Sequence, residues 1–129
     1  MRKKTVWNNE IHGIQCEFQN WGFTEDKADK WNYYIYLTEK NTNAELWAKL
    51  LEMKPAKYSI EYFDSWIADL NWHGGITYAE FERNSMQEIV CVKAGCDYSH
   101  CFDEGNEYTL DDLVRDCTAT IESIPRSIG

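Results

Sequence analysis

The sequence predicts an α+β domain of about four mostly antiparallel strands with two or three helices packed on them, the last an amphipathic C-terminal helix. Three observations carry this. Apolar side chains alternate at the two-residue period of a sheet in residues 11–18 and 31–37. They recur at helical spacing in residues 43–53 and 109–124. Two further apolar runs, 75–81 and 88–94, are separated by a short polar turn, the pattern of a hairpin. With 129 residues, 43% of them hydrophobic, and only two prolines, the chain reads as a single compact domain over residues 1–129.

Taken in order, "IHGIQCEF" is the first strand, with Ile14, Cys16 and Phe18 alternating with Gln15 and Glu17. The run "WNYYIYL" is dense in aromatic and β-branched types, which suit a pleated surface. It places Trp31, Tyr33, Ile35 and Leu37 on one face and Tyr34 and Tyr36 on the other. A helix follows over 43–53, capped by Asn43, striped by Leu46, Trp47, Leu50 and Leu51, and closed by Pro55. Residues 59–70 repeat a helical pattern (Ile60, Phe63, Trp66, Ile67, Leu70) behind a Ser59 cap, with a strand over 63–67 as the alternative. Then "GITYAEF" and "EIVCVKA" form the hairpin, Asn84 and Ser85 supplying its turn. Four consecutive apolar residues, Ile89 to Val92, point to a strand covered on both faces. Thr109 caps the last helix, Asp111 and Asp112 suit its first-turn dipole, and Leu110, Leu113, Val114, Cys117, Ile121 and Ile124 form its buried stripe up to Pro125.

Thirteen basic against twenty-two acidic side chains give a net charge of −9, which repels phosphates and argues against direct nucleic-acid binding. No apolar run reaches the length of a membrane span, and no apolar region follows the basic start "MRKKTVWNNEIHG" as a secretion signal requires. Five cysteines cannot all pair within one chain and none form a CxxC, so reduced, mostly buried thiols in a cytoplasmic protein are expected. Dinucleotide, phosphate-loop, nucleophile-elbow and zinc-protease signatures are absent, so no cofactor is expected.

Chemistry-bearing residues concentrate in two places. His73 precedes Gly74 and Gly75, a pair that permits positive φ and close approach of another group. The segment "GCDYSHCFDEG" follows a predicted buried strand, where scaffolds present working side chains. There Asp97 stands within reach of His100 and can fix its tautomer, and Asp103 and Glu104 add acceptors. The alternative is a turn whose carboxylates satisfy local backbone amides. His73, Cys96, His100 and Cys101 match no usual zinc spacing; Asp97, Asp103 and Glu104 would suit a harder ion. A Cys101–His100 dyad is disfavoured, because neighbours on a strand point apart.

These two segments, His73-Gly74-Gly75-Ile76-Thr77-Tyr78 and Gly95-Cys96-Asp97-Tyr98-Ser99-His100-Cys101-Phe102-Asp103, together resemble a group of small phage and prophage accessory proteins of mostly unknown function. Their shared pattern is HGGLTY, a spacer, then GFDCAH-x-GD and a closing amphipathic helix. The likeness covers about half the chain, from residue 72 on, and His12-Gly13 before Cys16 resembles an N-terminal HG-x-x-C of the same group. Cys96 stands where the pattern has an aromatic, Tyr98 where it has Cys, and Phe102 where it has Gly. The glycine-rich segment that precedes HGG in the group is replaced here by the aromatic run and the 43–53 helix.

The resemblance implies a phage-type accessory origin, and with it the host cytoplasm. The first functional reading is a non-catalytic binder that holds a host protein or a small polar ligand through His73, Gly74, Gly75, Tyr78, Asp97, His100 and Asp103. Inhibition of an antiviral defence component is its most specific version. A metal-assisted hydrolase is the enzymatic alternative, with Asp97, His100 and Asp103 as ligands and His73 as general base. An acidic nucleic-acid mimic is the third reading, and it needs no pocket.

Overall fold

The computed structural model describes residues 4–24, 27–52 and 65–125. Five strands form one antiparallel sheet: β1 (Lys4–Ile11), β2 (Ile14–Trp21), β3 (Lys30–Leu37), β4 (Tyr78–Arg83) and β5 (Ile89–Asp97), ordered β1-β2-β3-β5-β4. Two helices, α1 (Ala44–Glu52) and α2 (Leu110–Glu122), pack on one face of it, with Trp47 and Leu50 of α1 and Leu113, Cys117 and Ile121 of α2 in the core cluster. Leu51, expected on the buried stripe of α1, is instead 41% exposed. The class is α+β, with one strand more than the sequence pattern indicates.

The nature of the additional strand explains why pattern reading missed it. β1 is an edge strand, exposed along most of its length, so no apolar alternation is demanded of it. The run 11–18 is accordingly not one strand: Ile11 ends β1, Ile14 begins β2, and His12 and Gly13 turn between them at φ 50° and 80°. Positive φ at both central residues gives the two-residue hairpin turn whose twist matches its strands.

Register aligns one inward row across the sheet. Phe18 faces Tyr33, Tyr33 faces Cys96, Cys16 faces Ile35, and Ile35 faces Ala94. Each of these is buried, and Leu50 of α1 and Leu113, Cys117 and Ile121 of α2 close over them. The predicted faces of β3 hold. Asn43 caps α1 by accepting the Glu45 N–H at 2.8 Å, and Thr109 caps α2 in a reciprocal box with Asp112.

Two expectations change. The Ile89–Val92 run is not covered on both faces: Val90 is 46% exposed, beside the bulge where Arg83 pairs Ile89 and Glu82 pairs Cys91. β5 also runs on through Asp97, so Gly95 and Cys96 are strand residues rather than loop. Half of the candidate helix over 59–70 lies outside the described residues, with Ser59, Ile60 and Phe63, as does Pro55. Its described part, 65–70, is a run of tight turns with i to i+3 bonds, such as Leu70 N–H to the Ile67 carbonyl at 3.3 Å. Trp66 Nε1 ties it to α1 through the Leu46 carbonyl, 3.1 Å away.

On the outward face, Gly95 makes room for an aromatic ring. A Cβ there would overlap Tyr34 Cδ1, so only glycine lets Tyr34 lie across β5. Tyr34, Tyr36 and Tyr78 surround Lys93, whose Nζ is 4.5 Å from the Tyr34 ring centre and 3.6 Å from Glu17 Oε2.

Candidate functional site

The site is built where the 71–77 segment, the end of β5, the 98–108 loop and the later turns of α2 meet. Its lowest layer is a hydrogen-bond chain through the core. The His73 N–H donates to Tyr33 Oη at 3.2 Å, Tyr33 Oη meets Thr120 Oγ1 at 2.8 Å, and Thr120 donates to the Asn71 carbonyl at 2.7 Å. Thr120 and Tyr33 are both fully buried, and the chain leaves neither hydroxyl unsatisfied. Burial raises the Tyr33 phenol far above the ordinary range, so it acts only as a neutral relay in this chain.

Above it lies the His73 imidazole. It stacks on Tyr98 with ring centres 3.7 Å apart and planes 9° from parallel. Its Nε2 is 2.7 Å from Asp103 Oδ1, and its Nδ1 is 3.7 Å from Asp116 Oδ2. An ionised carboxylate only accepts, so the short contact fixes a proton on Nε2. Asp116 is itself held by the Tyr98 hydroxyl at 2.6 Å.

Asp103 is the hub. It is 6% exposed and takes three donors: His73 Nε2 and the Tyr108 hydroxyl (2.5 Å) on Oδ1, and the His100 N–H (3.0 Å) on Oδ2. Burial by itself would raise its pKa. The donors from Tyr108, the His100 backbone and His73 outweigh burial and hold the carboxyl below its usual range. The Asp103 proton affinity is in turn felt by Tyr108, whose phenol is pushed up chiefly by that hydrogen bond.

His100 precedes a short 3₁₀ turn, Cys101–Asp103, and stacks on Phe102 with planes 4° from parallel. This segment is helical rather than extended, which removes the strand argument against a Cys101–His100 dyad; Cys101 is exposed. The glycine pair has an internal use. Gly74 sits at φ 71° and directly under the imidazole of His100, where a Cβ would overlap the ring at Cδ2. The group that approaches this backbone closely is therefore a side chain of the same molecule. Gly75, at φ 104°, faces open space.

Of the residues expected to act together, His73, Gly74, His100 and Asp103 converge. Asp97 stands at the margin: its Oδ1 accepts the Ser99 N–H at 3.1 Å and lies 3.8 Å from His100 Nε2, beyond hydrogen-bond reach. The expected Asp97–His100 bond is thus replaced by a local Asx turn, and the carboxylate that orients an imidazole is Asp103, on His73. His100 Nε2 is buried without a hydrogen-bond partner among the described residues. Tyr78 does not belong to the cluster. Its side chain lies on the outward face of the sheet, edge-on to Tyr34 and bonded to Glu80. β4 pairs Tyr78 with Gly95, and the two-residue strand period turns it away from the helices.

Sequence reading missed Asp116, Tyr98 and Tyr108. Asp116 left a signal: it falls three residues after Leu113 and four before Thr120, at the margin of the buried stripe of α2, where an acid benefits from a donor. Among the described residues no three His, Cys, Asp or Glu side chains are grouped to hold a metal ion, and neither Cys96, buried in the core, nor Cys101 joins the histidines in such a set.

A cleft of about 460 Å³ opens beside this network, lined by the 98–108 loop and the start of β3. Asp29, Lys30, His100, Asp103, Glu104 and Tyr108 are among the residues that line it, and His73 is not part of this lining. Comparison with protein-family models, curated proteins and solved structures returns no match to this chain. Among the described residues no helix is long and apolar enough to cross a membrane.

Proposed function

We propose that this is a small acidic accessory protein of the phage type that works by binding a host component rather than by chemistry, with inhibition of an antiviral defence protein in the host cytoplasm as its most specific form. The observation that supports it best is the cleft over the 98–108 loop, whose lining rests on the Asp103 network and includes His100, with its Nε2 left without a partner among the described residues. Asp103 commits three hydrogen bonds to His73, Tyr108 and the His100 backbone, which makes it a rigid support for the loop. Asp29, Glu104 and the net charge of −9 favour a partner that inserts a basic side chain.

The hydrolytic reading finds less support in the same geometry. A general base needs a ring nitrogen aimed at substrate, and both nitrogens of His73 face carboxylates. The side chains of Asp97, His100 and Asp103 do not converge as a ligand set.

The test compares immobilised protein with its Glu104→Lys and His100→Ala variants for partners drawn from a bacterial host lysate. A host protein retained by the parent, lost with Glu104→Lys and released by salt is the expected result. Equal retention by all three would remove the cleft as the binding surface.

A further inference from the structure

The two edges of the sheet are not alike. β4 is short, bulged between Glu82 and Arg83, and charged at Glu80, Glu82 and Arg83, the usual means of preventing further strand pairing. β1 carries neither the bulge nor the run of charge. It is eight residues long, pairs with β2 in unbroken register, and contains no proline.

Its free side can be read from the hairpin. Ile11 and Ile14 flank a two-residue turn, so they exchange backbone bonds, as do Asn9, Trp7 and Thr5 with their partners on β2. The N–H and C=O groups of Lys4, Val6, Asn8 and Glu10 then point away from the sheet. The Glu10 N–H agrees, since it is held by the neighbouring Asn9 Oδ1 at 2.8 Å and not by the ladder.

From these observations we infer that β1 pairs with β1 of a second copy, antiparallel about a two-fold axis at Trp7, joining two sheets into one. Only even-numbered residues offer outward bonds, so an even residue must face an even one. Centring on Trp7 meets this condition over nearly the full strand: Val6 faces Asn8 and Lys4 faces Glu10 of the other copy. The charge pattern is then self-complementary, and the two-fold repeats each pair. Lys4 and Glu10 form no ion pair among the described residues, so both are available. Trp7, which is half-buried and stacks on Trp31, would face its own copy in the closer, non-hydrogen-bonded type of pair. Val6, 42% exposed in the single chain, lies within the joined surface.

Sedimentation velocity over a concentration series tests the pairing. The parent protein should reach dimer mass. Lys4→Glu and Glu10→Lys should each weaken dimerisation about tenfold or more by setting like charges opposite one another. The Lys4→Glu/Glu10→Lys double variant should recover it. An equimolar mixture of the two single variants should also form dimers. One of them is then acidic at both positions and the other basic at both, so each of the two contacts joins opposite charges. Val6→Pro should give a monomer with unchanged circular dichroism, since it removes an N–H that the folded chain leaves outward. A parent that stays monomeric throughout would overturn the inference. So would a dimer indifferent to these changes, or single variants that fail to complement.

Discussion

Replacing Asp103 by Asn tests the central network most directly, because it keeps the shape and removes the charge. Oδ1 accepts from both His73 Nε2 and Tyr108, while Oδ2 accepts the His100 N–H. An amide has one acceptor oxygen. Whichever way it is turned, its NH₂ faces a donor: the His100 N–H in one orientation, His73 and Tyr108 in the other. Hydrogen bonds to a charged group contribute about 1.5–3 kcal/mol, and an unsatisfied buried donor costs about 1–3 kcal/mol. Allowing for the bonds that the amide keeps, the expected destabilisation is about 3 kcal/mol, or a melting temperature lower by about 10 °C for a chain of this size. Urea unfolding followed by tryptophan fluorescence measures it.

The pH dependence supplies a check independent of packing. The folded-state pKa of Asp103 is depressed, so its stabilisation is present above the ordinary carboxylate value and lost as pH falls through the folded value. The gap between parent and Asp103→Asn should therefore be full at neutral pH and close below about pH 4. A variant within about 0.5 kcal/mol of the parent at neutral pH would refute the hub role of Asp103. A gap that persists unchanged into acid would assign the loss to packing rather than to charge.

Gly74→Ala should cost about 2 kcal/mol, combining a positive φ that alanine resists with displacement of His100 from the Cβ position. The His100 ring resonances in an NMR spectrum should shift along with the lost stability; unmoved resonances would contradict the docking of the ring on this glycine. At alkaline pH, burial pushes the Cys91 and Cys96 thiols up to about 12 from an ordinary 9.0. Groups whose folded pKa is raised stabilise fully below the unfolded value, so the urea midpoint should hold to about pH 9 and fall as pH climbs toward the folded value. A midpoint flat to about pH 11 would contradict the burial of both thiols.

Periodicity was most informative where a face is buried. The inward row of β3 and the stripe of α2 are dictated by solvent exclusion, and solvent exclusion writes a period into the chain. Where burial is one-sided or absent, that signal fades. β1 passed unseen because an edge strand can be polar throughout, and His12-Gly13 read as strand interior until β1 supplied the other half of its hairpin. The site was legible as a list of residues but not as a geometry. His73, Gly74, His100 and Asp103 stood out by type, yet which carboxylate serves which imidazole depends on side-chain direction at single positions.

The amino-acid sequence by itself determined the α+β class, the inward faces of the central strands, the two capped helices and the acidic surface, because each depends on local propensity or on a repeating burial pattern. Only the tertiary structure decided that Asp103 rather than Asp97 orients a histidine, that Tyr78 belongs to the opposite face, and that Gly74 makes room for His100. Those outcomes turn on sheet register and on the meeting of segments some thirty residues apart, 73 with 103, which no local pattern encodes.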